Sequence, residues 1–483
     1  MALALILILF AAALAAWLSE RVGRAWPQWI SLAVLAATSL WTAAVWLGGG
    51  EVATVHLPWI PRFGIAVLLA MDGLSLLLVL LTLVLGVVAV ISSWTEIGER
   101  PGFFQLNLLL TLAGVVGVFT ALDLFLFFVF WEVMLVPMYL LIAIWGHEER
   151  AYASMKFFLF TQISGLLLLA GILGLVFHHQ AATGVLTFDY RALLGSSAGL
   201  PAWVMLGFFA AFLTKLPGVP VHTWLPDAHT QAPTAGSVIL AGIMLKTGAY
   251  GLIRFVVPLF PDVAFELRQP IMLLGAISVI YGGYLAFAQE DFKRLVAYSS
   301  ISHMGFVLLG VFAWNQVAVQ GAVVQMVAHG FSTAALFMMA GALQERLHTR
   351  ALSRMGGLWQ RAPRMGAVTL FFVIASLGMP GLGNFVGEFL VLLGAFQADV
   401  TLAVVAALGL VVAATYALIL LQRSFQGPLA PEFPAMRDFG AREMTVMVGL
   451  MLALVGLGIY PQPVLDLSAP VVEGLRAVTG VGP

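Results

Sequence analysis

The 483-residue chain contains no cysteine, which excludes disulfides, thiol chemistry and iron–sulfur ligation by its own side chains. Charge is scarce as well. Asp, Glu, Lys and Arg make up 9% of the residues and leave a net charge of −1, so the basic surface that a nucleic-acid partner requires is missing. Ten-residue alternating segments of the membrane-barrel kind are absent, and no glycine-rich phosphate loop follows a strand, since there are no strands to speak of. The first apolar run, Leu3 to Leu18, lacks a basic segment ahead of it and passes directly into Ser19-Glu20-Arg21, which points to a retained helix and not a cleaved signal. What the chain has in abundance is apolar surface: 61% of residues are hydrophobic and the mean hydropathy is +1.03.

Apolar runs of about 20 residues recur along the whole length and predict an all-α polytopic membrane protein with about fourteen transmembrane helices. Their centres fall near residues 10, 38, 82, 112, 132, 165, 210, 247, 279, 304, 330, 375, 410 and 451. Between residues 102 and 145 the one polar break is Leu122-Asp123-Leu124, taken as a tight turn between two helices. With the N-terminus outside, fifteen Lys and Arg residues fall in inner loops; the outer side holds only Arg62, Arg191, Arg254, Arg268 and Arg476. The positive-inside rule therefore places both termini outside.

Two spans are interrupted. Lys215-Leu-Pro-Gly-Val-Pro220 breaks the seventh, and Gly378-Met-Pro-Gly-Leu-Gly383, just ahead of Glu388, breaks the twelfth. Non-helical backbone at membrane depth survives only against protein or a wet cavity, and paired broken helices point to an inverted-repeat transporter core. The expected organisation is residues 1–100 with helices 1–3, 102–260 with a first five-helix repeat, 270–424 with an inverted second one, and 440–483 with helix 14 and a tail.

Four ionisable residues lie inside apolar runs: Glu132, Lys215, Lys246 and Glu388. A charge at mid-bilayer costs about 2.5–3.5 kcal/mol on insertion scales, so such residues mark ion or proton paths. A carboxylate about 4 Å from a lysine, at an effective dielectric near 20, favours the lysine's proton by about 4 kcal/mol. That exceeds the roughly 2.3 kcal/mol that 100 mV supplies per charge. Glu132 and Lys215 are the natural pair. His303 and His329, in the tenth and eleventh spans, suit a relay because histidine titrates near neutrality. Plainer readings stand beside these: a protonated structural carboxyl at Glu132, a snorkelling Lys215, packed histidines, and a helix-start carboxylate at Glu388. His222-Thr-Trp-Leu-Pro-Asp-Ala-His229 looks like a metal cluster but lacks a third and fourth ligand. Glu290, Asp291 and Glu345 read as solvated loop charges, while Asp72, Asp123 and Lys156 lie near span ends, either as anchors or with a function.

Three stretches carry a family resemblance: Trp224-Leu-Pro-Asp-Ala-His-Thr-Gln-Ala-Pro-Thr-Ala-Gly-Ser237, Asp291-Phe-Lys-Arg-Leu-Val-Ala-Tyr-Ser-Ser-Ile-Ser-His-Met-Gly305, and Gly383-Asn-Phe-Val-Gly-Glu-Phe389. They resemble the antiporter-like membrane subunits of respiratory complex I, with glutamate at 388 favouring the branch known as subunit M or chain 4. The resemblance implies fourteen helices in two inverted five-helix repeats and a proton relay of Glu132, Lys215, Lys246, His303, His329 and Glu388. It also implies that FMN, iron–sulfur clusters and quinone reside on partner subunits, with none on this chain. The implied partners are other complex I membrane subunits, above all neighbouring antiporter-like ones, with lipids and protons. The implied location is a bacterial cytoplasmic membrane. The alternative is a subunit of a multisubunit sodium/proton antiporter.

Overall fold

The computed structural model describes residues 1–49, 52–429 and 436–479. The side chain of Arg476, placed above in the outer tail, lies outside the described part. Twelve helices among the described residues are long and apolar enough to cross a membrane. They are α1 (Ala2–Ser19), α2 (Trp26–Leu47), α3 (Gly73–Ser92), α4 (Pro101–Thr120), α5 (Leu124–Trp145) and α6 (Arg150–Thr183). After the interrupted α7 come α8 (Thr234–Leu259), α9 (Arg268–Phe287), α10 (Phe292–Phe312) and α11 (Gln316–Leu347); after the interrupted α12 come α13 (Val400–Phe425) and α14 (Ala441–Ile459). The interrupted helices are α7a (Ala202–Lys215) with α7b (Trp224–Gln231), and α12a (Pro363–Ser376) with α12b (Gly383–Ala398). The two broken pairs fall where the sequence reading put its seventh and twelfth spans. A last amphipathic helix, α15 (Gln462–Thr479), packs across α3 and α11.

Alternate crossings put the chain ends and α15 on one side, the terminal face, with the α4–α5, α6–α7, α8–α9, α10–α11 and α12–α13 connections. The arginine-rich connections share the other, basic face. One expectation needs correcting. The segment ahead of α3 is a β-hairpin on the terminal face, β1 (Val52–Ile60) and β2 (Ile65–Met71), paired antiparallel. The apolar run Ile65–Met71 looks like the start of a membrane helix in sequence. Pro61 and Gly64 turn the chain, and the extended pair satisfies its own backbone hydrogen bonds.

The same order of elements occurs twice. A 20-residue helix (α4, α9) leads to an aspartate-capped helix (α5, α10), a helix of 34 or 32 residues (α6, α11), a broken helix (α7, α12) and a 26-residue helix (α8, α13). Asp123 accepts from the amides of Phe125 and Leu126 at 2.9 Å, and Asp291 accepts from Arg294 N at 2.9 Å. Each aspartate also forms an isolated β-bridge to the strip that follows the long helix, Asp123 to Asp189 and Asp291 to Ala351. Five helices is an odd number, so the second copy starts on the opposite face from the first.

The structure corrects three readings. Asp291 is not a solvated loop charge; it caps α10 and pairs with Arg350 at 3.0 Å, the kind of cap whose loss costs about 1 kcal/mol. Lys293, counted among loop cations, is fully buried in the first turn of α10. Arg254, assigned to an outer loop, lies within α8 and pairs with Asp72, which caps α3 through Ser75 N at 3.0 Å. Lys156 pairs with Asp227 at 2.6 Å.

Helices approach closely where side chains are small, as expected where apolar burial alone gives no drive to associate in lipid. On α9 and α10, a Cβ added to Gly305 would lie 2.7 Å from Val279 N, and one added to Gly275 would lie 3.0 Å from Gly305 O. Both neighbours are backbone and cannot rotate away. Gly305→Val should therefore separate α9 from α10 and lower the yield of folded protein by at least severalfold, measured by fluorescence-detected size exclusion. Wild-type yield and thermal midpoint would contradict this packing.

Candidate functional site

The two breaks place chemistry at mid-depth. α7a ends at Lys215 because Pro217 has no N–H to continue the ladder. The freed backbone is satisfied by protein: Trp224 Nε1 donates to Thr214 O at 3.0 Å, and Val219 N donates to Ser278 Oγ of α9 at 3.0 Å. In α12 the break runs through Gly378, whose φ of +80 suits glycine alone among common residues. There Met379 N donates to Ile374 O at 3.3 Å.

Lys215 does not snorkel. It is 1% exposed, and its ammonium lies 5.3 Å above the Trp131 ring and 5.5 Å above Phe157, both within cation–π range. Its Nζ has no hydrogen-bond partner in the protein. Glu132, next to Trp131 on α5, is half-buried, and its Oε1 is likewise without a partner. Among the described ion pairs, Glu132 and Lys215 do not form one. The sequence expects these two as partners; the structure brings both beside Trp131 without an ion pair between them. A Cβ on Gly165 of α6 would stand 2.5 Å from Glu132 Oε1, so this glycine makes the room the carboxyl occupies.

Lys246 is completely buried on α8, two residues past a π-helical stretch, Leu240–Met244. Such bulges recur at functional sites because they free carbonyls from the ladder. Lys246 Nζ donates to Ala241 O at 2.5 Å and lies 2.7 Å from His329 Nδ1 of α11. The His329 and His303 rings stand edge to face with centroids 5.6 Å apart. His303 Nδ1 is 2.8 Å from Glu388 Oε1. On the other side of that ring, the hydroxyls of Ser376 and Tyr416 sit 3.1 and 3.2 Å from Nε2. Gln325 Nε2 donates to the same Glu388 oxygen at 2.8 Å. Glu388 is six residues into α12b, not at its start, and is 1% exposed.

Four of the six predicted residues therefore form one row, Lys246–His329–His303–Glu388, and the other two form a second group around Trp131. The row is chemically reversible. An ammonium donates to a neutral His329 Nδ1, and a neutral amine accepts from a protonated one. At the far end His303 donates from Nδ1 to the Glu388 carboxylate and accepts hydroxyl protons at Nε2. Glu388 Oε2, like Glu132 Oε1, has no partner and faces a glycine: a Cβ on Gly378 would be 3.0 Å away.

Sequence reasoning missed the polar shell. Gln325, Ser376 and Tyr416 carry no charge inside apolar helices, and hydroxyl or amide residues in spans often bond their own backbone. It also dismissed His229, which is fully buried, has neither ring nitrogen hydrogen-bonded, and stacks on Phe337 at 4.5 Å. Toward the basic face, the α7b–α8 turn is held by side chains from elsewhere. Lys293 Nζ donates to Ala232 O at 2.5 Å, Arg350 Nη1 donates to Thr230 O at 2.6 Å, and both Glu96 carboxylate oxygens accept from Thr234 N at 3.1 Å. Burial raises the Glu96 carboxyl above its usual range, against the pull of Lys293. In the α5–α6 connection, burial, aided by Lys293 and Arg350, pushes His147 down to about 3.

Residues 121–413, which hold all six predicted site residues, match the family described as NADH:quinone oxidoreductase/Mrp antiporter, TM. The chain belongs to that family. Among curated relatives, the NADH-quinone oxidoreductase subunit M of Pseudomonas aeruginosa is 53% identical over 99% of this chain and 97% of its own length. That of Escherichia coli K12 is 51% identical over 98% and 97%. Among solved structures, a chain of respiratory complex I from Thermus thermophilus with bound NADH matches with a TM-score of 0.90 and 31% identity, covering both chains completely. A chain of the Mrp complex from Dietzia sp. DQ12-45-1b shares the fold, with a TM-score of 0.86 and 22% identity over 99% of each chain. In this antiporter-family frame the broken helices and the buried row occupy the core of the matched region.

The close fit at Gly165 yields a test of the carboxyl's position. Gly165→Ala should displace Glu132 and lower redox-driven proton uptake severalfold in inverted vesicles, with quinone-reductase assembly preserved. Unchanged uptake would mean that Glu132 does not need the place it occupies.

Proposed function

We propose that this chain is the subunit-M-type membrane subunit of a respiratory NADH:quinone oxidoreductase and that it translocates protons along its buried ionisable row. The observation that carries the reading is the contact series Lys246–His329–His303–Glu388, in which each group can hold or pass a proton. Flavin, clusters and quinone reduction are assigned to partner chains; without cysteine, this one offers no thiolate ligand for a cluster. Partners are the other membrane subunits, and the membrane is the bacterial cytoplasmic one with both termini outside, as the arginine distribution favours.

In this reading, Glu132 and Lys215 form the driven switch. With the pair open, burial disfavours the charged lysine, and closing it restores about 4 kcal/mol at an effective dielectric near 20. Partner subunits would set that separation. A proton released from Lys215 reaches Lys246, is shared with His329 Nδ1, and continues through His303 to Glu388. Ser376, Tyr416 and Gln325 hold the last two groups in register.

The antiporter alternative draws on the shared family description and the fold likeness to the Mrp chain; subunit M relatives match at 51–53% identity over nearly the whole length. Purification in mild detergent separates the two: a large assembly with flavin and iron–sulfur absorbance supports the proposal, and a small cofactor-free one supports the antiporter.

Lys215→Ala and Glu132→Ala should each assemble yet reduce NADH-driven pumping by on the order of a hundredfold, the usual worth of a positioned proton-transfer group. Full pumping in either variant would remove the switch. Lys246→Arg should also fail, since guanidinium keeps its charge but does not release its proton.

A further inference from the structure

The polar surface of α8 continues past Lys246 toward the terminal face. Residues 246, 250 and 254 fall at four-residue intervals, so Lys246, Tyr250 and Arg254 share one face of the helix. Eight residues rise about 12 Å. Tyr250 is fully buried; its hydroxyl donates to Phe119 O at 3.1 Å and lies 3.4 Å from Ser75 Oγ. Arg254, in a second π-helical stretch, Leu252–Val256, donates from Nε to the Tyr250 hydroxyl at 3.2 Å and pairs with Asp72 through its other end. Beyond the pair is a cavity of about 320 Å³ lined in part by Asp72, Tyr190, Pro470 and Val471. The arginine side chain is 11% exposed and the aspartate 39%. The order from the interior outward is therefore lysine, hydroxyl, guanidinium, carboxylate, cavity.

Hydroxyls pass protons, and on its own this arrangement would drain the buried row to the terminal face. The guanidinium cannot take part, because it stays protonated under all ordinary conditions. It also stands on the interior side of its carboxylate, so a proton leaving Lys246 meets a fixed positive charge before any negative one. Fixed arginines exclude protons and cations from pores in this way.

We propose that Arg254 is the terminal-face proton seal of the lysine row. It keeps protons moving laterally toward Glu388 and stops them from discharging past Tyr250. The proposal rests on the proton-carrying role given to the row above. Its bland competitor is that the Arg254–Asp72 pair merely pins α8 to α3.

The two differ in what each partner's loss does. A pin fails alike whichever side is removed. A seal fails only when the positive charge goes, and asparagine at position 72 still caps α3. The intact complex is reconstituted in proteoliposomes without NADH, and the decay of an imposed pH gradient is followed with an entrapped pH dye. Arg254→Gln should raise protein-borne proton conductance severalfold, since the charge about 7 Å from the passing proton is partly offset by Asp72 behind it. Asp72→Asn should decay like the parent, and Tyr250→Phe should suppress the leak of Arg254→Gln. Parental decay in Arg254→Gln overturns the seal, as does an equal leak in Asp72→Asn. If Arg254→Gln fails to assemble, the double variant Arg254→Gln/Asp72→Asn, which leaves no unpaired buried carboxylate, takes its place: a leak supports the seal and parental decay overturns it. Failure of the row itself would appear elsewhere, as full NADH-driven pumping by Lys246→Ala.

Discussion

Inside a bilayer, a polar group without a partner has no water to fall back on, and this demand shapes nearly every unusual feature of the chain. The two broken helices are affordable because neighbouring helices take up the released backbone, as Ser278 does for Val219 and Trp224 for Thr214. The same demand makes the exceptions informative. Lys215 Nζ, Glu132 Oε1, Glu388 Oε2 and both ring nitrogens of His229 are buried without a protein partner. Such groups are costly to leave dry, and three of them belong to the residues proposed above to carry protons.

The two halves solve the same problem with the same parts. Each has an aspartate-capped helix, a long helix and a break, and each sets a carboxyl against a glycine: Glu132 beside Gly165 and Glu388 beside Gly378. The surroundings differ. Glu388 takes hydrogen bonds from His303 and Gln325 at 2.8 Å on one oxygen, whereas Glu132 has a single side-chain partner, Gln162; each carboxyl keeps a second oxygen without a partner. An arginine-rich face and an arginine-poor one then give the unit its direction in the membrane.

Much of this was legible in the residues. Long apolar runs fix the helices because lipid leaves no other backbone solution, and the prolines after Lys215 and around Gly378 announce the breaks. The six buried ionisable groups stood out by being expensive. What the residues did not disclose depends on tertiary neighbours. Asp291 and Lys293 look like ordinary loop charges until α10 is seen to begin at Phe292 and to lean on the α7b–α8 turn. Arg254 looks like a loop cation because it follows a glycine-rich stretch, Gly248 to Gly251, near the end of α8. The hairpin before α3 was hidden because its second strand is continuous in hydropathy with the helix. Gln325, Ser376 and Tyr416 gave no charge signal at all.

The clamp on the α7b–α8 turn has a consequence for biosynthesis. The carbonyls of Thr230 and Ala232 accept from Arg350 and Lys293, residues translated long after them. While the ribosome is still extending the chain, the first half must cross the translocon with that turn incomplete. Its final geometry arrives only when the second half inserts alongside. The two carbonyls therefore lack these donors until roughly a hundred further residues have been made, and the first half alone cannot complete its own turn.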